Sequence, residues 1–326
     1  MSAPSVLFVF PGQGSQYAGM GSDLVSEFDV AAEVFDQASE IAGYDMRALC
    51  FEDADKKIDK TRYTQPALLT HEVACHAVFD ELTGGAITPA MTAGHSLGEY
   101  SALVVAKALT FENALRLVIE RGRLMSELGR GGMLATTMDL LSAASLADKF
   151  YCGIGGCNLP EQTVIAGENK DLDRVQEELA VEFPRKRAFR LNTEGAFHTY
   201  LMVNAAQEFR AVLETTEFND TSIAVLSNYT GKLHVNDADA IRSRLFFQLF
   251  NPVRWVTCMN TAIDTNIEVI VEFGGGIGKG ETPESKRPNL EGIVKKSLKW
   301  RDYSADYLPA INANVLREAA AHFTDQ

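Results

Sequence analysis

Gly94-His95-Ser96-Leu97-Gly98-Glu99-Tyr100 is the stretch that decides the fold. It follows a strand-like run, Ala86-Ile87-Thr88-Pro89-Ala90-Met91-Thr92-Ala93, and precedes Ser101-Ala102-Leu103-Val104-Val105-Ala106, which reads as helix. A serine between two glycines at a strand-to-helix turn has the form of a nucleophile elbow. The turn is too tight for side chains on its flanks, so glycine stands on both sides. The serine oxygen is left exposed, and the positive end of the following helix points at it. Such a serine suits acyl transfer through a covalent ester. The alternative is a plain serine in a tight turn, and the rest of the chain decides by supplying, or failing to supply, a base, an oxyanion site and a substrate anchor.

The 326 residues suffice for one large domain or two smaller ones around a sizeable core. Hydrophobic residues at 46% and charged residues at 23% describe an ordinary globular protein, with no apolar run near a membrane span. Met1-Ser2-Ala3-Pro4 leads straight into Val6-Leu7-Phe8-Val9-Phe10, without a basic leader, so the expectation is no signal peptide and a buried parallel strand. Cys50, Cys75, Cys152, Cys157 and Cys258 are odd in number and irregular in spacing. They read as free thiols in a reducing cytoplasm, and no histidine or second cysteine pair completes a metal site near Cys152 and Cys157. The net charge of −14 argues against nucleic-acid binding.

Helix and strand patterns alternate, which predicts a layered α/β fold. Helices are expected at 22–43, 65–82 and 111–128, with a strand at 91–93 entering the elbow. After Gly129-Arg130-Gly131-Gly132 comes a strand at 133–138, a helix at 140–150, a strand at 162–166, a helix at 172–183 and a strand at 186–191. This order predicts a small ferredoxin-like insert at 130–198 within a larger unit made of 1–129 and 199–326. Beyond it follow a helix at 201–214, a strand at 223–227, helices at 239–250 and 254–265 and a strand at 268–273. Gly274-Gly275-Gly276-Ile277-Gly278-Lys279-Gly280 opens a polar segment that reads as a mobile loop. The Lys-Ser/Thr ending of a phosphate loop is missing from it.

Three further features bear on chemistry. Phe10-Pro11-Gly12-Gln13-Gly14-Ser15-Gln16 leaves the first strand where parallel sheets bind ligands. The N–H groups of Gln13 and Leu97 could form an oxyanion hole, or the loop is a plain turn. Arg121 falls on the apolar stripe of its helix with Ala114, Val118 and Met125. An inward guanidinium needs an anion. A substrate carboxylate gripped by two parallel hydrogen bonds and a distant structural ion pair both answer that need. Among six histidines, His198 in Gly195-Ala196-Phe197-His198 is best placed as a base, because it follows a strand at a domain joint. His95, in the elbow, is expected to point away from the rim. No acidic third member of a triad stands out.

Together these residues make the chain resemble malonyl-CoA:acyl carrier protein transacylases, including the free-standing acyltransferases of polyketide synthesis. The likeness runs from about residue 5 to about residue 296. It also rests on Thr64-Gln65-Pro66-Ala67-Leu68, Arg121-Gly122 and Gln248-Leu249-Phe250-Asn251-Pro252-Val253-Arg254-Trp255. It implies a large α/β-hydrolase-like subdomain carrying a ferredoxin-like one. Ser96 is then the nucleophile and His198 its base, oriented by the backbone carbonyl of Gln248. Gln13 and Leu97 supply oxyanion N–H groups, and Arg121 receives the malonyl carboxylate. Asn158, Phe197 and His95 are further substrate-site candidates, Asn158 by a looser match. The implied reaction is ping-pong transfer from malonyl-CoA to the thiol of a holo acyl carrier protein. It needs no metal or redox cofactor, and the enzyme is expected to be a cytoplasmic monomer that binds neither membrane nor nucleic acid.

The chain departs from relatives in places. Phe197 before the base matches malonyl-selective polyketide acyltransferases, where many fatty-acid enzymes have serine, and should crowd a branched acyl group. The glycine-rich segment replaces a Gly-Pro-Gly, and Leu290-Glu291-Gly292 follows only after an extra polar loop. The tail 297–326 falls outside the resemblance. Arg185-Lys186-Arg187 and Arg190 are either a docking patch for an acidic carrier protein or a charged edge strand. Two rival functions are an acyl hydrolase of the same fold that clears carrier proteins, and a non-catalytic docking partner. Arg121 speaks against the first, and intact Ser96 and His198 against the second.

Overall fold

Residues 4–324 are described by a computed structural model. Met1–Ala3, part of the stretch read as lacking a leader, lie outside them, as do Asp325 and Gln326. The strands are β1 (Val6–Phe10), β2 (Met91–Gly94), β3 (Gly132–Thr136), β4 (Gly153–Leu159), β5 (Gln162–Gly167), β6 (Ala188–Leu191), β7 (Ala224–Leu226), β8 (Val269–Phe273) and β9 (Asp306–Ala310). The helices are α1 (Ser22–Glu27), α2 (Asp29–Ala42), α3 (Met46–Phe51), α4 (Thr61–Thr83), α5 (Gly98–Val105), α6 (Phe111–Leu128), α7 (Leu140–Lys149), α8 (Asn169–Glu182), α9 (Val203–Thr215), α10 (Ala238–Gln248), α11 (Trp255–Ile263), α12 (Glu291–Trp300) and α13 (Ala313–Thr324).

Val6–Phe10 is apolar throughout because β1 is the central strand of a parallel sheet ordered β7-β2-β1-β8-β9. Phe8 and Phe10 face one core with Phe79 and Phe273. Leu7 and Val9 face another with Ile270 and Trp255. A strand covered on both faces has no polar side to alternate with. Each fully buried phenylalanine contributes roughly 1.5–3 kcal/mol of transfer free energy.

The second sheet is antiparallel, ordered β4-β5-β3-β6. Helices α7 and α8 cover one face. The other presents Met133, Val164 and Ala166 to Phe197 and Met125. Its chain order contains one strand more than the sequence predicts, β4. The run Gly153-Ile154-Gly155-Gly156 looks like a loop, yet the glycines serve a strand pressed against its neighbours. A Cβ on Gly155 would stand 2.7 Å from Met133 Cε and 3.0 Å from the Phe197 carbonyl oxygen. β4 also bonds outside its own sheet, Cys157 N–H donating to Val253 O at 2.8 Å.

Other expectations are corrected in detail. The helix expected at 22–43 is two, broken at Phe28, whose extended backbone (φ −136°, ψ 120°) ends α1 and starts α2. The tail is integral to the fold: β9 extends the parallel sheet beside β8, and α13 packs on α4. The segment read as a mobile loop is anchored at both ends. Gly276 N–H donates to Ser15 O at 2.7 Å, and Ile277 pairs with Arg287. All five cysteines are free and buried. β6 is an edge strand, and Lys186 and Arg190 spend their charges on Glu161 and Asp173, as a charged edge would. Among the described residues no helix is long and apolar enough to cross a membrane, and no cluster suits a metal ion.

Candidate active site

The carboxyl ends of β1 and β2 lie side by side, Phe10 in register with Gly94. The loop after β1 therefore meets the turn after β2, with His95 N–H donating to Phe10 O at 2.9 Å. A Cβ on Gly98 would fall 2.2 Å from that same carbonyl oxygen, so only glycine fits there. Ser96 takes the left-handed conformation (φ 55°), a strain of about 1–2 kcal/mol for a residue with a Cβ. Asn228 holds it there: its Oδ1 accepts the Ser96 N–H at 2.6 Å, and its Nδ2 donates to Gly94 O at 2.7 Å.

Every residue singled out for the site except Gln248 lines one cavity of about 570 Å³. Ser96 Oγ lies 2.7 Å from His198 Nε2. His198 Nδ1 lies 2.8 Å from the carbonyl oxygen of Gln248. A carbonyl only accepts, so Nδ1 carries the proton and Nε2 is free to accept from serine. Burial, and then the nearby Arg121 cation, push the His198 pKa down to about 3, so the ring is neutral at pH 7, with the proton on Nδ1 and none on Nε2. The main-chain N–H groups of Gln13 and Leu97 have no acceptor among the described residues. Unspent donors beside a nucleophile are what a developing oxyanion requires.

Arg121 is 1% exposed, the second largest fully buried side chain. It donates to Gln65 Oε1 at 2.7 Å, Gln248 Oε1 at 3.0 Å and Ser96 Oγ at 3.1 Å. Its guanidinium lies 5.5 Å from the centre of the Tyr100 ring, and its Nε is buried without a partner. No carboxylate among the described residues forms an ion pair with it. The distant ion pair that the sequence left open is thus absent there. A buried cation held by neutral oxygens, with one donor unspent, is built to receive an anion.

His95 does not point away from the rim. It lines the cavity, with Nε2 2.9 Å from Asn158 Oδ1 and its ring packed 5.5 Å from Trp255. The cause is β4, which carries Asn158 over the elbow. Phe197 is 5% exposed and lines the cavity beside the base. Sequence reasoning left three members without a role. Gln65 stands in a quoted motif, but its bond to Arg121 joins different helices. Glu99 lies one turn past Ser96, and Asn228 lies far along the chain with no local signal.

The family described as the acyl transferase domain matches residues 7–274. The malonyl CoA-acyl carrier protein transacylase of Bacillus subtilis (strain 168) is 38% identical over 300 residues, covering 89% of this chain and 90% of that protein. The polyketide biosynthesis malonyl CoA-acyl carrier protein transacylase BaeC of Bacillus velezensis is 36% identical over 277 residues, covering 83% and 93%. A solved structure of a type II polyketide synthase acyl-carrier protein in complex with its malonyl-transacylase superposes with a TM-score of 0.86 at 34% identity, covering 98% of this chain and 99% of that one. Those matches, falling on a chain with this serine, histidine and buried arginine, show that it belongs to the acyl transferase family, among the malonyl CoA-acyl carrier protein transacylases, and is an acyltransferase.

Proposed function

We propose that the protein transfers a malonyl group from malonyl-CoA to the phosphopantetheine thiol of a holo acyl carrier protein, through a malonyl ester on Ser96. The observation that carries this reading is one hydroxyl touched by both the unprotonated Nε2 of a neutral His198 and an anion-seeking Arg121. Ser96 Oγ attacks the thioester carbonyl while His198 Nε2 takes its proton. The C–S bond breaks, and the proton passes to the departing CoA thiolate. The carrier thiol then gives its proton to His198, attacks the ester carbonyl, and Ser96 Oγ leaves and is reprotonated. Gln13 and Leu97 N–H groups stabilise the oxyanion in both halves. No metal or redox group is required by these steps.

Arg121 has a second part in this scheme. Its charge helps keep His198 neutral before a substrate carboxylate arrives. A malonyl carboxylate neutralises that charge, so His198 gains proton affinity when it must act as base. Phe197 and the His95–Asn158 pair shape the acyl pocket, with Phe197 excluding an α-branch. We read 1–129 with 199–326 as an α/β-hydrolase-like unit and 130–198 as a ferredoxin-like one, with the acyl group held between them.

Intact mass after mixing with malonyl-CoA, acetyl-CoA or methylmalonyl-CoA tests the reading. The expected result is a malonyl adduct, larger in yield than the other two, that moves to added holo carrier protein. An adduct lost only to water would instead make the protein a hydrolase.

A further inference from the structure

Glu99 is a fully buried carboxylate that the transfer scheme does not use. It sits in the first turn of α5, three residues past Ser96. Its Oε2 accepts from the Asn228 main-chain N–H at 3.0 Å and from Gln248 Nε2 at 2.8 Å. Its Oε1 lies 2.8 Å from His234 Nε2, whose side chain is 1% exposed. A carboxylate only accepts hydrogen bonds, so it selects the NH₂ end of the Gln248 amide. That choice turns the amide oxygen to Arg121 Nη2, 3.0 Å away. The opposite orientation would set NH₂ against a guanidinium and oxygen against a carboxylate, two repulsions between buried groups. The main-chain carbonyl of the same residue takes His198 Nδ1–H.

We propose that Glu99, backed by His234, is a positioning residue that couples the carboxylate-binding guanidinium to the catalytic base through the two ends of Gln248. This rests on the functional reading above. Glu99 touches neither substrate nor reacting atoms. It orders Gln248, and through Asn228 it also steadies the Ser96 main chain. Its negative charge, one amide away, compensates a buried Arg121 that no direct ion pair neutralises in the empty site.

The test compares malonyl and acetyl transfer rates, kcat/KM for each donor, in Glu99→Ala, Glu99→Gln, Arg121→Ala and Glu99→Ala/Arg121→Ala. In Glu99→Ala the preference for malonyl over acetyl should fall about 10–100-fold, the worth of a hydrogen bond to a charged group. Glu99→Gln keeps an oxygen for Gln248 but not the charge, and should restore the preference in part. The double variant should show the same preference as Arg121→Ala, because Glu99 acts on the preference through that arginine. Equal loss with both donors in a folded Glu99→Ala would make Glu99 merely structural and overturn the inference alone. A wild-type protein with no malonyl adduct would overturn the functional reading and this inference with it. If Glu99→Ala does not fold, Gln248→Met keeps the main-chain carbonyl and removes the amide. Its malonyl preference should fall likewise, and an unchanged preference overturns the inference.

Discussion

The turn at 94–98 and the run at 274–280 are both glycine-dense, and both follow strands of the same parallel sheet. Both hold residues at positive φ: Ser96 at 55° in the first, Gly274 at 76° and Gly275 at 63° in the second. They differ in what the backbone donors do. In the second run Gly274 N–H bonds Ala310 O, Gly275 N–H bonds His71 Nδ1, and Gly276 N–H bonds Ser15 O. In the first, Leu97 N–H is left for a ligand, and the strained position carries a side chain instead of a hydrogen. Glycine density reports close backbone approach in both places. Unspent donors and a strained non-glycine residue mark the one that does chemistry.

The comparison breaks first at Ser96. Ser96→Ala should abolish the acyl-enzyme in intact mass and lower transfer by about 10⁴-fold or more, as loss of a nucleophile does. Folding should be unaffected, because only the Oγ hydrogen bonds are lost. A persisting malonyl adduct would place the nucleophile elsewhere.

The glycines themselves should break unequally. Gly98→Ala drives a methyl to 2.2 Å from a backbone oxygen of the central strand, which cannot step aside. A loss of about 3 kcal/mol in urea unfolding is expected. In Gly275→Ala the close atom, 2.5 Å away, is Ser15 Oγ, a side-chain hydroxyl bonded to Gly12 O. There the left-handed backbone is the main cost, about 1–2 kcal/mol. A loss at Gly98 no larger than that at Gly275 would mean that the strand backbone does step aside, since Gly98 is helical and carries no left-handed cost of its own.

How much of this was legible follows from range. The elbow, β1 and the inward Arg121 are written in spacings of a few residues, and they stand where the sequence put them. β4 was hidden because strand glycines look like loop glycines until Met133 and Phe197 are known to lie against them. The break at Phe28 carries no proline or glycine, and an apolar residue continues the helical stripe. The Gln248 carbonyl came only from resemblance, since any residue has one. The Glu99–Gln248–Arg121 chain joins three helices, and no local pattern encodes it.

The finest difference between the two runs lies in their histidines. His198 stands by the elbow, and His71 accepts the Gly275 N–H at 2.9 Å. Both are buried, and burial is the largest cause pushing each pKa to about 3. Unfolded, each would take up a proton near its ordinary value of 6.5. Between pH 6.5 and 3 the unfolded chain therefore binds more protons than the folded one, and stability must fall with falling pH. The slope is about 1.4 kcal/mol per pH unit for each such group. Glu272, pushed up to about 7 by burial, acts oppositely, its contribution being lost as pH rises. A single titration curve mixes these signs, so the measurement is a difference. His71→Asn retains an acceptor for the Gly275 N–H and removes the titration. Urea unfolding of variant and wild type at pH 7.5, 6 and 5 should show the variant's deficit shrinking steadily below pH 6.5, with transfer activity at pH 7.5 little changed. A deficit constant with pH would show that His71 takes up its proton without unfolding, so that its burial beside the glycine run does not hold it neutral.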